Sequence, residues 1–376
     1  MRVSFVASGL DSGGAEFALL RLLTAMRRYD VDAMVVSLRS QGVVGPQLRE
    51  ASIPVACLDL PALGALISAS PALNEQIRAW TPAVLHGWMY HGNLAASWAG
   101  LSVKLPVLWG IRQSLDAMAR EKWLTRCVIK LGARFSARPR LIVYNSALAR
   151  RQHETYGYAS EHAAVVPNGF DTEELCPDPD LRCTARRELQ VDESAAVVAM
   201  VARFHPAKDY PTFLRAAALS IRVRPNTMFV LVGNGVDESN RELASLVAQL
   251  GLSSWVRMLG RRDDVARLLP AFDVVCLTSI GESFPNALGE AMSCGVPCVG
   301  TAVGDVAELI GDTGEVVPPG DPEAVAAAIG RLLSLEPTAR RALGAQARQR
   351  IIDRFSIGEV ARRYADLLHS AAEQNH

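Results

Sequence analysis

The chain has 376 residues, 49% of them hydrophobic and 21% charged, a globular composition that excludes wholesale disorder. Formal net charge is zero, but residues 1–170 carry 18 Lys and Arg against 11 Asp and Glu, and the remainder 21 against 28. A basic half therefore precedes an acidic one. The 7 cysteines, an odd number with no C-x-x-C spacing, argue against a disulfide framework or a structural zinc and fit a reducing, cytoplasmic setting.

The chain opens on a strand, with no signal-peptide pattern. Strands are expected at 3–7, 33–38, 83–86, 107–109 and 141–145 in the first half. In the second they are expected at 196–202, 228–233, 256–259, 273–277 and 297–300. Helical periodicity separates almost every pair, which is the pattern of parallel sheets with covering helices. Residues 79–103 are uncharged, but Pro82, His86, His91 and Asn93 make them a strand followed by a helix rather than a membrane span. The periodicity breaks near Pro167–Asp192, which divides two α/β domains. At the end, Ser356-Ile357-Gly358-Glu359 reads as a capping box launching an amphipathic helix over 360–369.

Three loops carry chemistry. Asp11-Ser12-Gly13-Gly14-Ala15-Glu16 follows the first strand, where paired glycines and a helix N-terminus offer N–H groups to an anion. It is neither G-x-G-x-x-G nor a P-loop, so a dinucleotide dehydrogenase and a P-loop NTPase lose ground. Arg203 and Lys208 lie in the loop leaving the first strand of the second half, the edge at which open parallel sheets bind ligands. A fork and a point charge there suit a diphosphate; read alone, both are ordinary solvated cations. In Gly281-Glu282-Ser283-Phe284-Pro285-Asn286-Ala287-Leu288-Gly289-Glu290, Pro285 fits the first turn of a helix. Glu282 then precedes that helix and Glu290 lies inside it, so the two carboxylates converge. Such a pair binds vicinal hydroxyls, holds a metal, serves as a hydrolase acid and base, or is simply solvated.

In this order, and with Pro167-Asn168-Gly169-Phe170-Asp171 at the junction and 304–308 beyond the last loop, these motifs resemble the retaining nucleotide-sugar glycosyltransferases of family 4. The resemblance covers nearly the whole chain. It implies the GT-B fold: two Rossmann-like, doubly wound parallel-sheet domains facing across a cleft. Residues 1–170 would bind the acceptor, 171–355 the nucleotide sugar, and the helix at 356–376 would pack back on the first domain. Arg203 and Lys208 would hold the donor diphosphate, with Gly13 and Gly14 reaching the same phosphates from the other domain. Glu290 would take the ribose hydroxyls and Glu282 those of the transferred sugar. The backbone around Phe284, Pro285, Asn286 and Leu288 would complete the cradle, and Arg262 falls where a nucleobase pocket is expected. No metal and no other cofactor are implied. The donor is most often UDP-linked in such families, and the acceptor is a glycan or a lipid-linked sugar, as in surface polysaccharide or glycolipid synthesis.

Some enzymes of the family carry a His near the reacting sugar. Here the matching stretch, Trp109 to Ser114, holds Arg112 instead, which leaves His91 as a catalytic candidate and His86 and Arg112 as acceptor-side candidates. Between Lys104 and Arg151 there are 11 Lys and Arg against Asp116 and Glu121. Arg126, Lys130, Arg134 and Arg138 recur every four residues beside an apolar row of Trp123, Cys127, Leu131 and Phe135. That helix either lies on an anionic membrane face, making the protein peripheral, or is solvated on its basic side. Nothing resembles a nucleic-acid-binding module. Two other functions share the fold: a sugar-nucleotide 2-epimerase, and a non-catalytic nucleotide-sugar or glycan-binding protein.

Overall fold

The structure, a computed structural model, describes residues 1–11, 13–60, 70–116, 118 and 122–373. Ser12 of the first loop and Arg120 and Glu121 of the basic stretch lie outside the described residues. The chain divides into two compact units, Met1–Gly169 with Ile357–His376, and Phe170–Ser356.

The N-terminal unit runs β1 (Arg2–Ala7), α1 (Gly14–Met26), β2 (Asp32–Ser37), α2 (Val44–Glu50), β3 (Val55–Cys57), α3 (Ser70–Trp80), β4 (Val84–Trp88), α4 (Met89–Val103), β5 (Val107–Ile111), α5 (Trp123–Phe135), β6 (Leu141–Tyr144), α6 (Ala147–Tyr156) and β7 (Ala163–Val165). Its strands form one parallel sheet in the order β3-β2-β1-β4-β5-β6-β7. Neighbouring residues face opposite cores: Val3, Phe5 and Ala7 pack with α1, while Val6 packs with Val36 and Leu85. Burial on both faces explains why these strands are continuous apolar runs.

The C-terminal unit runs α7 (Pro179–Glu188), β8 (Ala196–Val201), α8 (Tyr210–Val223), β9 (Thr227–Val232), α9 (Arg241–Gln249), β10 (Val256–Met258), α10 (Val265–Leu268), β11 (Val274–Leu277), α11 (Asn286–Ser293), β12 (Cys298–Thr301), α12 (Val306–Ile310), β13 (Glu315–Val317), α13 (Pro322–Ser334) and α14 (Pro337–Phe355). The strands again make one parallel sheet, in the order β10-β9-β8-β11-β12-β13. Side chains accept from the first free amides at several helix starts, as Asp178 does for α7, Asn240 for α9 and Asp321 for α13.

The chain then returns to the N-terminal unit as α15 (Ile357–Glu373). Val360, Ala361, Tyr364, Ala365, Leu368 and Ala371 form its buried stripe, packed in the cluster that contains Leu19, Leu22 and Leu23 of α1. The expected capping box does not form as read. Both oxygens of Glu359 reach forward to Arg362, at 2.7 and 3.1 Å, because an i,i+3 guanidinium offers a charged donor where the cap offers a neutral one.

In each sheet the strand order reverses beside the first strand, between β1 and β4 and between β8 and β11. At such a switch point the two flanking loops diverge and leave a crevice at the carboxyl edge. The loops of interest are therefore those after β8 and β11, and those after β1 and β4.

Candidate active site

The loops after β8 and β11 are bound together through their backbones. The Thr278 hydroxyl donates to the carbonyls of Lys208 and Asp209, at 3.1 and 3.0 Å, and the Ile280 N–H donates to the Ala207 carbonyl at 2.9 Å. His205 shapes the same turn, its Nδ1 accepting from the Ala207 N–H at 3.2 Å. Asp209 adopts a left-handed conformation, φ 49°, from which its side chain caps α8. The consequence is that Lys208 Nζ and Glu282 Oε1 meet in an ion pair, with the Ser279 hydroxyl donating to the same carboxylate oxygen at 2.7 Å. Lys208 and Glu282 are largely sheltered, 21% and 11% exposed. Arg203, on the same loop as Lys208, is exposed and its guanidinium has no partner among the described residues.

Gly304 fixes the far wall. Its φ is 57°, and a Cβ there would strike the Glu282 carbonyl, while the Asp305 N–H donates to the Ser283 carbonyl at 3.2 Å. Only glycine lets the 302–305 turn support the Glu282 loop this closely. Glu290 sits half-buried in the second turn of α11.

Several expectations are corrected here. Pro285 is the residue before α11, with φ −86° and ψ 81°, not its first helical residue. Its carbonyl accepts from Leu288 at 3.1 Å, and the Asn286 N–H is taken by the Phe284 carbonyl at 3.1 Å, so these amides are already engaged. Phe284, Pro285 and Leu288 are buried, and the Phe284 ring stacks on Phe170 at 6.1 Å between centroids. Their side chains hold the loop down. Arg262, expected near the base, is already paired. Its guanidinium is closed by Asp264, at 2.7 and 2.8 Å, and by Glu188 at 2.7 Å, and these hydrogen bonds raise its pKa further.

A loop that the motif reading passed over belongs to the same edge. Gly233-Asn234-Gly235, after β9, packs against the β8 loop: the Phe204 N–H donates to the Asn234 carbonyl at 2.8 Å. Gly233 has φ 156°, and a side chain there would run into the Ala202 carbonyl. Two glycines directly after a strand were the available signal.

In the N-terminal unit, α1 starts at Gly14 with Gly13 extended before it, and the Glu16 carboxylate folds back over Gly13. A negative group at a helix N-terminus is favoured by the free N–H groups and the dipole. His91 lies in the first turn of α4, half-buried. Burial, with a smaller contribution from Arg39, lowers its pKa below the ordinary histidine value, which favours the neutral imidazole near pH 7.

His86 and Arg112 are not on an acceptor surface. His86 is fully buried, stacked on Phe5 at 4.8 Å, with Nε2 2.9 Å from the Tyr364 hydroxyl. Arg112 is buried too. It donates to that hydroxyl at 2.7 Å and to the Val166 carbonyl at 3.0 Å, and it stacks on Trp88 at 4.4 Å. The pair forms an internal tie for α15. Burial, and then the Arg112 charge, drive the His86 pKa down to about 3. The unfolded chain therefore takes up the proton first, so this stability is complete above pH 6.5 and lost as pH falls toward 3. At pH 5 the cost is about 2 kcal/mol. Acid titration followed by near-UV circular dichroism is expected to show His86→Gln less acid-sensitive than the wild type across that window.

Residues 12–174 match Glycosyltransferase Family 4, and residues 195–335 match Glycosyl transferases group 1. The chain belongs to the group 1, family 4 glycosyltransferases. This glycosyltransferase is 33% identical over 186 residues to the N-acetyl-alpha-D-glucosaminyl L-malate synthase of Bacillus anthracis, spanning 49% of this chain and 48% of the relative. To the D-inositol 3-phosphate glycosyltransferase of Salinispora tropica it is 33% identical over 251 residues, spanning 63% of this chain and 52% of the relative. These two matches thus span about half of each relative's length. The D-inositol 3-phosphate glycosyltransferase of Kineococcus radiotolerans aligns at 29% identity over 90% of this glycosyltransferase and 86% of its own length. Among solved structures, Anabaena Alr3699/HepE in complex with UDP and glucose superposes with TM-score 0.85 at 24% identity, covering 98% of this chain and 100% of that one. Its two parallel sheets and this structural likeness give the glycosyltransferase the GT-B fold. None of its described helices is long and apolar enough to cross a membrane.

Proposed function

We propose that this glycosyltransferase moves a sugar, with retention of configuration, from a UDP-sugar to a glycan or lipid-linked acceptor in surface polysaccharide or glycolipid synthesis. The observation that carries the donor half is the ion pair of Lys208 and Glu282 beside the uncommitted Arg203, at the switch point of the C-terminal sheet. A diphosphate leaving group gathers negative charge as the glycosidic C–O bond breaks, and a fixed ammonium with a guanidinium beside it stabilises it more in the transition state than before. Glu282, held by Lys208 and Ser279, is an oriented acceptor for hydroxyls of the transferred sugar. Glu290 takes the ribose in this reading, Gly13 and Gly14 contact phosphate through backbone N–H groups, and neutral His91 hydrogen-bonds near the transferred sugar. The acceptor oxygen attacks the face from which the diphosphate departs, and its proton passes to a phosphate oxygen. The reading involves no metal. Its choice of donor is supported by the UDP bound to the Anabaena protein, and glycosyl transfer itself by the names of the relatives, whose acceptors are a small acid and a sugar-like phosphate. The glycan or lipid-linked acceptor rests on the family resemblance.

A thermal-shift screen against UDP, GDP, ADP and their sugars, run in EDTA, tests the reading. UDP at about a hundred times its Kd adds about 2.7 kcal/mol, a rise of roughly 5–10 °C in the unfolding of a unit this size. Arg203→Ala and Glu290→Ala are expected to abolish that rise. A folded protein that no nucleotide shifts would sink the proposal.

A further inference from the structure

We propose that Ser279 sets which sugar the enzyme selects, by leaving Glu282 a single oxygen with which to read it. The proposal rests on the donor reading and deepens it. Glu282 Oε1 accepts from both the Lys208 ammonium and the Ser279 hydroxyl, the latter at 2.7 Å. A carboxylate oxygen offers about two lone-pair directions, so Oε1 is filled. Oε2 has no hydrogen-bond partner among the described residues. An untethered carboxylate turns easily about its last torsion and can span two neighbouring hydroxyls with its two oxygens. Glu282 can do neither without breaking both bonds to Oε1. It reads the transferred sugar through Oε2, from one fixed point.

The fold holds the serine as firmly as the serine holds the carboxylate. Ser279 is fully buried, two residues beyond β11, and its carbonyl accepts from the Thr301 hydroxyl at 2.5 Å. Thr301 ends β12 and is fully buried too. Thr278, the residue before Ser279, donates to the backbone carbonyls of Lys208 and Asp209. Consecutive hydroxyls therefore serve the two halves of the ion pair, one the loop of the ammonium and the other the carboxylate. Buried hydroxyls meet no competing water, so the arrangement is set before a donor arrives. A donor whose hydroxyl is inverted leaves the charged Oε2 unpaired, and a site built for a hydroxyl rejects such analogues strongly. Ser279 acts through Glu282 and is a positioning residue.

The test is calorimetric titration of the full chain, in EDTA, with UDP, UDP-glucose, UDP-galactose and the two N-acetylamino counterparts of these sugars. Discrimination is the ratio of Kd between the best and the next best of the four UDP-sugars. Ser279→Ala is expected to lower that ratio about tenfold, the usual worth of a hydrogen bond to a charged group. Thr301→Val removes the support of the Ser279 carbonyl and is expected to lower it about threefold. The Kd of UDP itself is expected to stay within twofold in both variants, because UDP carries no transferred sugar. A merely structural lesion would weaken UDP as well. Four UDP-sugars bound equally or not at all by a wild type that binds UDP, unchanged discrimination in Ser279→Ala, or weakened UDP in that variant would each overturn the proposal alone. A folded wild type that binds no UDP would sink the donor reading, and this proposal with it.

Discussion

Lys208→Ala is expected to lower kcat for sugar transfer by about 10²–10³-fold, the usual worth of one preorganised charge at a developing anion. The ammonium is held by Glu282 on a loop that Thr278 and Ile280 fasten to the β11 loop, so it needs little reorganisation when charge develops. Lys208→Arg is expected to recover only part of the loss, since a planar fork cannot occupy a point-charge site without moving Glu282. Glu282→Gln keeps the Ser279 hydrogen bond but loses the ion pair with Lys208, so its deficit combines a weaker grip on sugar hydroxyls with a less firmly held ammonium. The measurement is initial-rate kinetics with saturating donor, beside a thermal midpoint for each variant. A Lys208→Ala enzyme within threefold of wild type would remove the residue from the chemistry.

The second large effect is on stability. Tyr364→Ala empties a fully buried site in the N-terminal unit, and large-to-small changes of this kind cost about 3–5 kcal/mol. It also leaves the Arg112 guanidinium and His86 Nε2 without the hydroxyl that serves both. A fall of roughly 10 °C in the transition of that unit is expected by calorimetry, where a domain of this size moves about 2–4 °C per kcal/mol. Tyr364→Phe keeps the packing and isolates the hydroxyl, which is expected to be worth about 1–3 kcal/mol. Equal midpoints for the alanine variant and wild type would show that α15 is not part of that core.

The sequence is most legible where burial is two-sided. All ten strands expected from apolar runs are present: nine are interior strands, which are mostly apolar because they are covered on both faces, and the tenth, β10, is a partly buried edge strand of three residues. The three that sequence reading does not find, β3, β7 and β13, lie at sheet edges, are three residues long and are only partly buried. Their pairing is written in their neighbours rather than in themselves. In the candidate site, spacing placed Lys208 and Glu282 on facing loops but could not reveal that they are ion-paired. It misled for Arg112 and His86, since a cation and a histidine at strand ends look alike whether they face a ligand or a tyrosine from a helix more than 250 positions away. Nor could it show that Arg262 is paired, because Glu188, one of its two partners, comes from a distant helix. Long-range polar pairing is where a single sequence carries least information.

The return of α15 to the first unit has a consequence for how the protein is made. The segment 170–356 contains every residue of its own core, so it can fold without the rest of the chain. The segment made before it cannot. Leu19, Leu22 and Phe5 wait for Val360, Tyr364 and Leu368, and Arg112 stays a charge without its hydroxyl until the last helix arrives. The half translated first is thus completed last, and a truncation before residue 357 would leave a complete second half joined to an unfinished first.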